Sequence, residues 1–284
     1  MYFLNADGNP IINSLPNDFS KNFDWVLTRT QLYKFKDIPE TIYVKTDFLR
    51  YFANILPMLT NKFILITSCS DYSPSVKFRK EYNIIVEHPL LLLWYASNKV
   101  HEHEKIKPFP QGLCNYSEEI HNLLLKLNKE SVNITKKDKI LCVWRDRNFN
   151  VCGEEYITRE KTKKFILQHP SIFDWVEANL SIEDFYKLLS SYKYVLCPVG
   201  NGIDPCPKSF EAIAVNTIPI FINTLNTKDF YDNMPCILVN NYDEILEPDF
   251  LNVNYEKLKH LLYSEETLYK LSSEYWVKKI KSQS

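Results

Sequence analysis

A Gly200-Asn201-Gly202 turn is followed closely by Lys208, Ser209 and Glu211, a grouping with the chemistry to hold a phosphorylated, sugar-bearing ligand. Glycines can adopt positive φ and expose backbone amides at little steric cost. A helix opening near Pro207 would aim its free N–H groups and its dipole at an anion beside that turn. Pro205 and Pro207 suit a chain entering a helix, where a missing amide costs least. Lys208 in the first turn opposes the dipole unless an anion sits there; a solvent-facing lysine is the alternative. Glu211 can accept hydrogen bonds from both hydroxyls of a ribose, as acidic groups do in dinucleotide folds, or it can simply face water.

These residues need elements to position them. A β-type run at 194–197 ends in Pro198, and a second buried strand is expected at 218–221, giving a strand, loop, helix, strand unit. In open α/β sheets ligands bind at the carboxyl ends of strands, where this constellation lies. An apolar strand at 140–144 places Arg145 and Arg147 at its own carboxyl end, as diphosphate contacts or as surface ion pairs. Arg159 is a weaker candidate.

Further strands are expected at 25–27, 42–45, 63–67, 84–87 and 174–177, with a sheet edge at 237–239. Apolar residues at helical spacing predict a helix over 47–59, capped by Thr46 or Asp47. The Leu-rich segment 90–97 is expected to be a buried helix, with Trp94 in the core. Helices are also expected at 116–127 and 158–168. Another starts at Ser181, which can cap the amide of Asp184. In the tail, helices are expected at 255–263 and 265–281, the second capped by Ser264. Pro and Gly in 105–114 mark a crossing between domains. This alternation argues for mostly parallel sheets with helices on their faces.

Composition narrows the class. The chain has 284 residues, 45% hydrophobic and 14% aromatic, enough for a sizeable core. With 34 basic and 35 acidic residues, nothing points to a polyanion partner, and no nucleic-acid-binding motif occurs. Seven cysteines at wide spacing, without a C-x-x-C pair, fit a reducing compartment better than structural zinc. The first residues lack the basic and apolar regions of a signal peptide, and no apolar run spans a bilayer. The expectation is a soluble, cytoplasmic protein.

The stretch CPVGNGIDPCPKSFEAIAVNTIPIFI resembles the nucleotide-binding motif of exostosin-like glycosyltransferases, particularly the short forms of large DNA viruses and microbes. Their pattern runs approximately S-P-H-G-N-G-x-D-C-H-R-T-W-E-A-L, then G-C-I-P-I. Gly200, Asn201 and Gly202 match the glycine turn and Glu211 the ribose-binding acid. Lys208 stands for the usual Arg, Phe210 for Trp and Val199 for His. Three further segments occur in family order: ITSCSDYS, Trp94-Tyr95-Ala96-Ser97-Asn98 and Pro110-Gln111-Gly112-Leu113. The resemblance implies a GT-B fold, α/β, with two Rossmann-like domains and a nucleotide-sugar cleft between them. On this basis residues 1–108 form the acceptor-side domain and 109–262 the nucleotide-sugar domain. Residues 263–284 form a helix that packs back on the first domain.

The implied activity transfers a hexosyl or pentosyl group from a UDP- or GDP-linked sugar to a hydroxyl of a glycan or glycoprotein. Such transfer needs the leaving diphosphate neutralised and the acceptor hydroxyl deprotonated. Asp71 is the leading base candidate, with a capped turn as its bland alternative; Glu102 and His88 are substitutes. Ser70 and Asn98 are assigned to the acceptor side, Asn98 to fix a sugar hydroxyl or cap the 90–97 segment. Lys and Arg with a helix dipole can carry the leaving-group charge, so no metal or cofactor is expected. A non-catalytic glycan-binding module retaining the fold is the rival reading.

Overall fold

The computed structural model describes residues 19–29, 31–113, 117–145, 159–224, 226–231 and 233–283. Six strands form the first sheet: β1 (Trp25–Leu27), β2 (Leu32–Lys34), β3 (Thr41–Lys45), β4 (Phe63–Ser68), β5 (Leu91–Ala96) and β6 (Ile106–Pro108). Their order is β2-β1-β3-β4-β5-β6, and every pairing except β1 with β2 is parallel. The second sheet comprises β7 (Lys137–Cys142), β8 (Phe173–Trp175), β9 (Tyr192–Leu196), β10 (Ile218–Ile222) and β11 (Ile237–Val239). It is wholly parallel, in the order β11-β10-β9-β7-β8, so β11 is the expected edge.

Helices fill the crossovers that parallel pairing demands. They are α1 (Leu49–Ile55), α2 (Pro74–Lys77), α3 (Arg79–Val86), α4 (Glu118–Glu130), α5 (Arg159–Leu167) and α6 (Ile182–Ser190), then α7 (Lys208–Ala214), α8 (Thr227–Tyr231), α9 (Phe250–Leu262), α10 (Glu265–Lys270) and α11 (Ser273–Lys281). Ser181 accepts from the amide of Asp184, and Ser264 caps α10 through the amide of Glu266, both as expected. None of these helices is long and apolar enough to cross a membrane.

Two expected elements exchange identity. The 84–87 segment is the end of α3, and 90–97 contains the strand β5. A short apolar run reads alike as buried strand or buried helix; here its six residues fit an interior parallel strand between β4 and β6. In α3, Ile85 and Val86 face the core while Ile84 is exposed. Trp94 is in the core as expected, its indole N–H donating to Thr67 Oγ1 at 2.9 Å. The 47–59 helix is broken: α1 lies between single 3-10 turns at Thr46–Phe48 and Leu56–Met58. Thr46 caps nothing and donates its hydroxyl to the Ser68 carbonyl. Strand β6, inside the expected crossing segment, is an edge strand, which is where Pro108 can be accommodated.

The tail helix expected at 265–281 divides at Ser272, whose hydroxyl accepts from the Tyr275 amide and starts α11. Trp276 then stands edge-on to Phe109, ring centroids 5.4 Å apart, just beyond β6. One apolar cluster joins Tyr43, Ile64 and Tyr95 of the first sheet to Leu141, Val195 and Phe221 of the second, and takes in Trp276 and Ile280. The two sheets thus share a core, and their loops meet at one edge.

Candidate functional site

The loops that leave β4, β5, β7 and β9 at their carboxyl ends converge on a cavity of about 620 Å³. Residues 69–71 and Asn98 line it from the first sheet; residues 143–145, the loop 200–208 and Glu211 line it from the second. Cys69 (φ 62°) and Asn98 (φ 54°) both turn the chain through left-handed conformations just after their strands. Among non-glycine residues such φ values are tolerated best by asparagine, so Asn98 is suited to its place.

Asn98 is a clamp rather than a ligand group. Its Oδ1 accepts from the amides of Ile203 (2.9 Å) and Asp204 (3.0 Å), and its Nδ2 donates to the Ser70 carbonyl (2.8 Å). Its own amide donates to Asp204 Oδ2 at 2.7 Å. Asp204 Oδ1 accepts from Asn226 Nδ2 at 2.6 Å, and the same Nδ2 reaches the Lys99 carbonyl. Burial lifts the Asp204 carboxyl to about 7, against the bonds from Asn98 and Asn226 that favour its charge. This closed network explains Gly202 as well. A Cβ there would run into the Asn98 side-chain amide, so close approach demands glycine. Neither Gly200 nor Gly202 takes a positive φ, contrary to the expected reason for them.

On the second-sheet side, Glu211 is only 6% exposed and accepts from the Tyr186 hydroxyl at 3.0 Å, which removes the water-facing alternative. Lys208, 8% exposed, donates to the Val143 carbonyl at 2.8 Å and lies 5.4 Å from the Trp144 ring centre. Arg159 bonds the carbonyls of Val199 (3.2 Å) and Arg145 (3.0 Å), and a Cβ on Gly200 would come within 3.3 Å of its guanidinium. Arg145 is exposed at the cavity; Arg147 falls outside the described residues. Ala178, Leu180, Ile182 and Phe185 make an apolar wall beside Tyr186.

Two expectations on this side are corrected. Ser209 does not line the cavity: it is fully buried, with its hydroxyl bonded to the Cys206 carbonyl and to the Tyr231 hydroxyl. The first-turn amides of α7 are already engaged, Ser209 with Cys206 and both Phe210 and Glu211 with Pro207. Anion recognition therefore falls to the side chains of Lys208, Arg159 and Arg145 rather than to a bare helix end.

On the first-sheet side, Asp71 is exposed, and its Oδ2 accepts from Asn201 Nδ2 of the opposite loop at 3.0 Å. Ser70 lines the cavity, though its hydroxyl accepts from the Tyr72 amide and its carbonyl holds Asn98. His88 and Glu102 lie elsewhere: His88 beside Phe63, and Glu102 in an ion pair with Lys99 at 2.7 Å. Two polar atoms of cavity residues, Asn201 Oδ1 and the Trp144 indole N–H, are buried without a hydrogen-bond partner among the described residues. A buried acceptor and a buried donor left unpaired in one cavity mark groups that a ligand would satisfy. Among the described residues no group of three or more His, Cys, Asp or Glu side chains gathers to hold a metal ion.

Sequence reasoning missed Tyr186, Trp144 and Asp204, and underrated Arg159. The Ser181 cap did locate α6, but not the direction in which Tyr186 points. Asp204 was visible as the acid of the G-N-G-x-D segment, with no signal that it would brace Asn98.

No protein-family profile matches the chain, and no curated protein matches it. Among solved structures, an α1,3-fucosyltransferase is similar at 13% identity and a TM-score of 0.43, covering 87% of this chain and 78% of that one. HepE of Anabaena in complex with UDP matches at 10% identity and a TM-score of 0.47, covering 86% and 78%. A glycosyltransferase of Rickettsia africae matches at 14% identity and a TM-score of 0.42, covering 86% and 75%. The two-sheet α/β arrangement resembles that of these GT-B-like glycosyltransferases.

Proposed function

We propose that the cavity binds a nucleotide diphosphate sugar and transfers its sugar to a hydroxyl of a glycan or glycoprotein. One observation carries the reading: a buried carboxylate, Glu211, shares a cavity at the strand carboxyl ends with Lys208, Arg159 and Arg145. A nucleoside diphosphate offers the complementary parts, two ribose hydroxyls and a diphosphate, at a comparable separation.

Glu211, oriented by Tyr186, accepts from the ribose hydroxyls. The apolar wall at Leu180, Ile182 and Phe185 receives the base. Lys208, Arg159 and Arg145 neutralise the diphosphate as the bond to the sugar breaks, which is where fixed positive charge lowers the barrier. Asp71, at the opposite rim, takes the proton of the acceptor hydroxyl, and Asn201 aims its carboxylate. The Asn201 Oδ1 and Trp144 N–H left unpaired in the protein find partners on the ligand. An exostosin-like assignment, with residues 1–108 as acceptor side and 109–262 as donor side, is part of the same proposal.

The test is calorimetric titration of UDP and GDP into the protein and its Glu211→Ala variant. Loss of charge-assisted hydrogen bonds should weaken the preferred nucleotide by about 1.5–3 kcal/mol, roughly 10- to 150-fold. Unchanged affinity, or no binding of either nucleotide to the parent protein, would overturn the reading.

A further inference from the structure

Two thiols beside the cavity have no part in the transfer chemistry. Cys197 follows β9 and is fully buried; Cys206 is half-buried and lines the cavity just before α7. The two side chains are hydrogen-bonded to each other, closing the base of the loop that carries Gly200, Asn201, Gly202 and Asp204. Lys208 and Arg159 face Cys206; Lys208 and Glu211 are the charged neighbours of Cys197, and the Tyr231 hydroxyl of α8 closes the cluster. The bond from Cys197 holds the Cys206 thiol down to about 5, and the two cations add to it despite burial. Burial raises Cys197 well above the ordinary thiol range. Cys236, nearby under Tyr231, is pushed up to about 12 by burial alone. A thiolate open to a cavity, flanked by cations and touching a second thiol, combines the features that make one cysteine reactive and its neighbour a resolving group.

We propose that Cys206 and Cys197 are a peroxide-responsive pair: hydrogen peroxide entering the cavity oxidises Cys206, and Cys197 closes a disulfide across the base of the glycine loop. In the first step the Cys206 thiolate attacks one peroxide oxygen and the O–O bond breaks. Cys206 becomes a sulfenic acid, and the departing hydroxide takes a proton and leaves as water. In the second step the Cys197 sulfur attacks the sulfenic sulfur, its proton leaves with the displaced hydroxyl as a second water, and the S–S bond forms. Two thiols lose two hydrogens and two electrons, and one peroxide is reduced to two waters.

The experiment uses the full chain, fully reduced. Limiting iodoacetamide is applied at about pH 6 and the alkylated peptides are quantified by mass spectrometry. Cys206 should react at least ~10-fold faster than Cys69, which shares the cavity, and than Cys236. One equivalent of hydrogen peroxide should then link the peptides of Cys197 and Cys206, reversibly with dithiothreitol. In Cys197→Ser the sulfenic acid should persist and be trapped on Cys206 by dimedone. Alkylation of Cys206 no faster than of Cys69, or both thiols left alkylatable after peroxide, would sink the proposal. The alkylation arm needs no variant, so misfolding of Cys197→Ser does not shelter it. None of these readouts involves a nucleotide, so they test the thiol pair separately from the transfer reaction.

Discussion

The two walls of the cavity are built differently. On the second-sheet side Lys208, Glu211 and Tyr186 are buried and bonded to protein before any ligand arrives. On the first-sheet side Asp71 is exposed at a loop tip, and its bond from Asn201 comes from the opposite wall. Groups already fixed lose little freedom on binding, so the buried wall is suited to affinity. An exposed carboxylate on a loop is suited to meeting an incoming acceptor. Between the walls stands the Asn98 network, which sets their spacing.

The sharpest way to separate the walls is Asp71→Asn. If Asp71 is the base, turnover should fall about 100- to 10,000-fold while nucleotide affinity stays within about two-fold, read by steady-state kinetics and calorimetry on the same preparation. Equal losses in both, or full retained turnover, would erase the proposed division of labour. Next in size is Asn98→Ala, which removes three side-chain hydrogen bonds bridging the sheets and leaves buried amides unpaired. It should cost about 2–4 kcal/mol in denaturant unfolding, and Gly202→Ala should mimic it in part by displacing the same side chain. Two wild-type-like denaturation curves would show that the walls do not depend on this brace.

The brace should also respond to pH. Asp204 has a folded value raised to about 7, so the folded protein binds more protons than the unfolded chain between its ordinary value of 3.8 and that point. Its contribution is full below about pH 4 and is lost as pH rises toward 7, at no more than about 1.4 kcal/mol per pH unit. Lys136 acts in the adjoining window. Burial depresses its ammonium from 10.5 to about 7, while it donates to the Val215 and Asn216 carbonyls and to Thr217 Oγ1 behind α7. The unfolded chain binds the extra proton there, so stability should recover between pH 7 and 10.5. Urea unfolding across pH should show Asp204→Asn flattening the lower limb and Lys136→Met the upper; unaltered limbs would contradict the assignment. Smallest is Tyr186→Phe, which takes one donor from Glu211. It should weaken nucleotide binding by about 0.5–1.5 kcal/mol in calorimetry, and a larger loss would mean that Tyr186 itself touches the ligand.

Much of this was legible in the chain. The Ser181 and Ser264 caps, the β10 run and the β11 edge follow from local chemistry, because a hydroxyl before a helix and an unbroken apolar run each act over a few residues. The exchange of α3 and β5 shows the limit. Ile84-Ile85-Val86 and the Leu-rich run after it differ little in composition, and only their neighbours decide which pairs and which coils. Within the site, Lys208 and Glu211 were legible as types at a spacing. Their burial, and the loss of Ser209 to Tyr231, were not, since both depend on what α6 and α8 bring alongside.

By itself the sequence determined that two strand-rich halves would each present a polar loop after an apolar strand, and that one loop carried glycines, a cation and an acid. Local rules suffice for this, because strands, caps and turns are fixed by residues close in the chain. Only the tertiary structure decided that Asn98 would serve the opposite loop instead of a sugar, that Arg159 would join the cavity, and that Cys206 would meet Cys197 among cations. Those contacts bring together elements from separate crossovers, and their energies depend on burial that no single segment carries within itself.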